Sequence, residues 1–149
     1  MGINYNKAEY LELLKKKSTI ANSEDSEKLQ RYSVMANDYL NWCIREYYLD
    51  LLENFRKKKI RTFEFCLSVE ETGQLISDII DMLESNLIIL LPTEKSLGFA
   101  DLLEEVFDTC EGYLQEEPEF RHGNSEVEIE VKDSVEKIYL KIQKYLNDE

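Results

Sequence analysis

The sequence predicts an all-α protein, an antiparallel four-helix bundle with an N-terminal helical extension. Three observations carry that expectation. Only five glycines and two prolines punctuate 149 residues, so long segments run without a breaker. Within those segments apolar residues recur at spacings of three and four, the period of a helix that buries one face. No internal repeat and no second composition regime interrupts the chain, and at 43% apolar residues it can build a core. The extension is assigned to residues 1–38 and the bundle to residues 39–149.

The first helix is expected from about Lys7 to Lys16. Ala8, Leu11 and Leu14 keep helical spacing, and Lys15-Lys16-Lys17 sits where the negative end of the helix dipole favours cations. The polar stretch Ser18 to Ser26 reads as a linker that ends in a helix cap. A long helix follows, from about Glu24 to Lys58, with a bend expected near Asn37-Asp38. Leu40, Cys43, Ile44, Tyr47, Leu51 and Phe55 line it, and Lys57-Lys58-Lys59 loads its end with cations. That triplet suits helix capping, with a phosphate-binding patch as its alternative.

Arg61-Thr62-Phe63-Glu64 turns into the next helix, for which Phe63, Leu67, Leu75, Ile79, Leu83 and Leu87 are the expected buried stripe. Gly73 weakens it locally, and it must end before Pro92. Thr93 to Gly98 reads as a connection. Phe99, Leu102, Leu103, Val106, Cys110 and Leu114 then form an apolar face, closed off by Gly112 and Pro118. Gln115 to Asn124 reads as a loop. The last helix runs from about Ser125 to Asn147, lined by Val131, Val135, Ile138, Ile142 and Tyr145. Val127, Ile129 and Val131 also alternate as a short strand would, but Ser125-x-x-Glu128 is a capping-box pattern and favours helix.

Charge is distributed unevenly. Residues 1–75 hold twelve basic and twelve acidic side chains, and residues 76–149 hold six and nineteen, so the second half carries the whole net charge of −13. Between Asp101 and Glu119 stand eight carboxylates and no base. Asp101, Glu104, Glu105, Asp108 and Glu111 recur every three or four residues, opposite the apolar stripe, so a helix stacks them on one face. Like charges so spaced repel by about 0.2–0.5 kcal/mol per pair, and folding gains nothing from them. Such a run suits a solvated face. It also suits a docking surface for a basic protein, steered in by the field. Tyr113 and Phe120 beside the acids are the aromatic type that anchors interfaces, with core packing as the alternative for each. The same charge argues against direct nucleic-acid binding, which needs Lys and Arg to release counterions from phosphates.

Catalytic and metal chemistry find no motif. The three cysteines, Cys43, Cys66 and Cys110, are widely spaced, odd in number and set among apolar residues. They match neither a disulfide framework nor a zinc site, and they suit a reducing compartment. His122 is the only histidine; Glu119 precedes it by three residues, but the second Glu-x-x-His pair of a di-iron bundle is absent. An EF-hand loop, a P-loop and a G-x-S-x-G elbow are also missing. The chain is therefore expected to be a binding protein and not an enzyme, with no cofactor and no metal. The N-terminus shows no signal peptide, and Gly2 is followed by Asn6 where a myristoylation signal wants Ser or Thr. Leu87 to Leu91 is far short of the roughly twenty residues of a membrane span. A soluble, cytoplasmic protein is expected. The wealth of Lys, Asn, Ile and Tyr matches AT-rich coding and leaves a plastid stroma as the alternative.

Two stretches resemble colicin D-type immunity proteins. Tyr48-Leu49-Asp50-Leu51-Leu52-Glu53-Asn54-Phe55, then Ile60 and Phe63-Glu64-Phe65, is similar to the family's opening helix pair. Leu102-Leu103-Glu104-Glu105-Val106-Phe107-Asp108-Thr109-Cys110-Glu111-Gly112-Tyr113, followed by Pro118, Arg121 and an amphipathic helix, is similar to its third helix, acidic-aromatic end and last helix. The resemblance covers about residues 39–146, and residues 1–38 depart from it. It implies a small acidic bundle that binds a tRNA-cleaving toxin domain and occupies its basic active site in place of RNA. On that reading Glu104, Glu105, Asp108, Glu111, Glu116 and Glu117 mimic phosphates and Tyr113 anchors the partner. The alternative is a helical adaptor or regulatory protein that works through Lys15–Lys17 or the Leu11/Leu14 face.

Overall fold

The computed structural model describes residues 5–121 and 125–148. Gly2 and His122 lie outside them. The described residues form α1 (Lys7–Lys15), α2 (Ser23–Cys43), α3 (Arg45–Arg56), α4 (Thr62–Ser85), α5 (Glu94–Leu114) and α6 (Glu126–Asn147), with short 3-10 turns at Lys17–Thr19 and Pro118–Phe120 and no strand among them. The protein is all-helical. Among the described residues no helix is long and apolar enough to cross a membrane.

Local chemistry sets most helix starts. The side-chain oxygens of Asn6, Asn22 and Ser125 accept from the backbone N–H groups of Glu9 (3.0 Å), Asp25 (2.7 Å) and Glu128 (3.2 Å), which satisfies donors that have no partner in a first turn. Thr93 and Ser96 form a reciprocal capping box, so α5 starts at Glu94. Thr93 to Gly98 is thus a cap and a first turn instead of a connection.

The long helix expected over Glu24 to Lys58 is two helices. The break falls at Ile44, beyond the bend expected at Asn37-Asp38. No glycine or proline marks it. Arg45 Nη1 donates to the freed Trp42 carbonyl at 2.9 Å while its guanidinium lies over the Trp42 ring, and Tyr48 donates to the buried Asn41 across the break at 2.8 Å. The end of α4 also differs. The helix stops at Ser85 in a Schellman motif, with the Leu87 and Ile88 amides donating to the Glu84 and Leu83 carbonyls at 3.0 and 2.9 Å. Leu87 takes the left-handed position (φ 58°), so Leu87 to Leu91 lies in the connection to α5.

The core has two parts. The larger is built by α3, α4, α5 and α6, with Leu52, Phe65, Val69, Phe99, Leu103 and Val135 among its buried members. The smaller joins Tyr10, Leu13 and Leu14 of α1 to Leu29, Tyr32 and Ala36 of α2 and to Ile80 of α4. The 38/39 boundary therefore falls inside α2. Buried Glu84 ties this part together, accepting from Tyr10 at 2.5 Å and from Ser33, with Lys17 at 4.0 Å. Burial first, then the Glu84 carboxylate, pushes the Tyr10 phenol well above its ordinary value, so it remains a donor.

The buried stripe of α4 is not the expected one. Phe63, Leu67, Leu75 and Leu87 are exposed, Leu75 by 58%, whereas Phe65, Cys66, Val69, Ile76 and Ile80 are buried. This helix carries apolar residues on several sides, so spacing alone admits more than one stripe. Cys43 is exposed, against the expectation of an apolar setting, while Cys66 and Cys110 are buried.

Candidate functional site

The acidic segment occupies the outer side of α5 and the chain that follows it. Phe99, Leu103, Val106 and Cys110 point into the core. Helical geometry turns the residues between them outward, and Asp101, Glu104, Glu105, Asp108 and Glu111 are all exposed. Glu116 and Glu117 continue the exposed run past the helix end. Six of the seven residues expected to meet a partner therefore share one solvent-facing region.

Tyr113 does not. It is 2% exposed, and its hydroxyl donates to the buried Glu128 carboxylate at 2.5 Å, linking α5 to α6. It is a core residue and is not available as a surface anchor. Helical phase explains this, since Tyr113 follows Val106 and Cys110 on the same buried row. Phe120, 50% exposed in the turn after Glu119, is the aromatic that stands beside the acids.

The carboxylates are scarcely neutralised within the chain. Among the described residues only Glu105 has a cation, Lys141 at 3.3 Å. Glu104, Asp108, Glu111, Glu116 and Glu117 have no ion pair there. Elsewhere seven described carboxylates have a cation, and Arg56 grips Glu136 most closely, through two hydrogen bonds of 2.6 and 2.9 Å.

The region extends onto α2 through Asp38, a residue outside the charge run. Asp38 is half-buried, and its carboxyl is pushed up to about 6, first by loss of water and then by the charges of Asp101 and Glu104. Only the packing of α2 against α5 brings it there, so nothing in its sequence neighbours marks it. Among the described residues no three His, Cys, Asp or Glu side chains are grouped to hold a metal ion.

Of the surfaces named for an adaptor, the Lys15–Lys17 cluster is exposed and the Leu11/Leu14 face is turned inward at Leu14. Leu14 is buried in the smaller core part, Lys16 pairs with Asp25 at 3.2 Å, and Lys15 lies 3.8 Å from Glu12.

No protein-family model matches the chain, and neither a curated protein nor a solved structure does.

Proposed function

We propose that the chain is a stoichiometric binding protein of the immunity type, which covers the basic active site of a tRNA-cleaving toxin domain with the acidic region of α5. On this reading α3 to α6 are the antiparallel four-helix bundle and the preceding helices are its extension. The protein acts in the cytoplasm and performs no chemistry of its own. One observation carries the reading: six exposed carboxylates lie together and, among the described residues, have a single intramolecular cation. A nuclease site is positive because its substrate is a polyanion, so unpaired carboxylates can replace phosphates there and speed encounter. Glu104, Glu105, Asp108, Glu111, Glu116 and Glu117 take that role, with Asp38 beside them and Phe120 as the aromatic contact. The resemblance to colicin D-type immunity proteins supports the choice of partner.

Affinity capture from native lysate, washed at low and then at raised salt, tests this. A basic nuclease domain should be retained at low salt and released as salt rises. Charge reversal of Asp108 and Glu111 to Lys should weaken that binding about 10–100-fold and leave the helical circular dichroism unchanged. Capture of a complex without a nuclease, or full affinity in the reversed variant, would overturn the proposal.

A further inference from the structure

The end of α3, the start of α4, the turn after α5 and the first half of α6 enclose an open cleft of about 710 Å³. Its charge is opposite to that of the molecule. Lys58, Lys59, Arg61, Arg121 and Lys132 line it, against two carboxylates, Glu64 and Glu128. None of these five cations has an ion pair among the described residues, although acids outnumber bases on the chain by thirty-one to eighteen. Lys7, Arg31, Arg45, Lys95, Lys137 and Lys144 also lack an ion pair among the described residues, but the five around the cleft are brought together on one concave surface, and that grouping marks a place for an anion.

Arg121 is the most telling of them. Its guanidinium lies 5.0 Å from the Phe63 ring centre and 5.9 Å from that of Tyr113, so aromatic faces flank it. Its Nε is shielded from solvent and has no hydrogen-bond partner among the described residues. A buried donor on a charged group without an acceptor is costly, and an anionic oxygen in the cleft is the acceptor that would relieve it. The start of α4 adds to this. Arg61 in the cap position supplies no side-chain hydrogen bond, as Ile44 supplies none to α3, whereas α1, α2, α5 and α6 are capped. The positive end of the α4 dipole therefore meets the cleft. Glu128, the buried carboxylate, already accepts the Tyr113 hydroxyl.

We propose that this cleft is a binding site for a phosphate group. The group is carried on a small organic molecule, whose apolar part rests on Phe55, Ile60 and Phe63. The volume favours the carrier: it falls in the range of about 300–1,000 Å³ typical of small-molecule sites and exceeds what a lone anion fills. Five cations against two carboxylates suit a dianion. A net charge of −13 repels a long polyanion, which points away from nucleic acid. The inference stands independently of the acidic region on α5.

Calorimetric titration of the full chain at low salt tests it, with adenosine monophosphate, inorganic phosphate and adenosine as probes. The monophosphate should bind saturably, phosphate more weakly and adenosine least. Phosphate as tight as the monophosphate would assign the site to the free ion. Arg121→Gln and Lys132→Gln should each weaken binding about fivefold or more. Lys58→Gly separates this from loss of fold. Lys58 sits in the left-handed region (φ 61°) at the Schellman end of α3, where glycine is unstrained. That variant should melt about 2–4 °C higher while binding the monophosphate more weakly. No saturable binding of either phosphate probe up to about 10 mM, or equal affinity in all three variants, would overturn the proposal.

Discussion

Asp38 links the acidic region to the stability of the fold. Its carboxyl titrates at about 6 in the folded protein, against an ordinary value near 3.9 in an open chain. A raised carboxyl pKa means that the fold favours the protonated form. Its stabilising contribution is complete below pH 4 and is lost as pH rises through 6. At pH 7 the ionised group opposes folding, by about 1 kcal/mol once screening of a half-exposed site is allowed for. Asp38→Asn should therefore raise the melting temperature at pH 7, with a gain that shrinks to nothing by pH 4. Thermal melts at the two pH values measure this, and an equal effect at both would assign the change to packing instead. A basic partner would draw the same carboxyl back toward its ordinary value and release a proton on binding near pH 6.

Helix contacts set the demands on two glycines in α5. A Cβ at Gly98 would come 2.2 Å from the Tyr145 hydroxyl oxygen and 2.7 Å from its Cζ. That hydroxyl donates to the Lys95 carbonyl at 2.9 Å, and Lys95 Nζ in turn donates to the Tyr145 and Asp148 carbonyls at 2.7 Å, closing the end of α6. Gly98→Ala should lift α6 from α5 and cost about 1–3 kcal/mol. Nothing lies within 4 Å of a Cβ at Gly112, so Gly112→Ala should instead stabilise by up to about 1 kcal/mol. Chemical denaturation of both variants checks the opposite signs. The same helices show what was legible in the chain. The bounds of α1 and α6 follow from spacing and from short caps at Asn6 and Ser125, because those signals are local. The break at Ile44 and the left-handed Leu87 carry no glycine or proline, so they depend on partners supplied by folding. The exposed α5 carboxylates can be read from helical phase, and the same phase places Tyr113 on the inward row of Val106 and Cys110. Of the cleft, only Lys58 and Lys59 stand out in the chain, in the triplet with a phosphate-binding patch as its alternative; Arg121 and Lys132 belong to separate segments that only packing brings beside them.

Across the whole molecule, charge of one sign is concentrated in the second half of the chain, while five of the cations without an ion pair line one cleft. Repulsion among exposed carboxylates weakens the compact state and is screened by salt. Raising sodium chloride from about 20 to 200 mM, beyond which the Debye length is already under about 8 Å, should therefore raise the melting temperature of the isolated protein. A melt that is flat or falls with salt would show that the ion pairs outweigh the acidic region. The distribution of thiols has a practical consequence of its own. Cys43 is exposed at the end of α2, whereas Cys66 and Cys110 are buried between α4 and α5. The native fold thus offers a maleimide dye one attachment point, and the other two sulfurs react only as the core opens. A fluorophore can be placed on the natural chain without any substitution, and the stoichiometry of labelling becomes a count of how many molecules are folded.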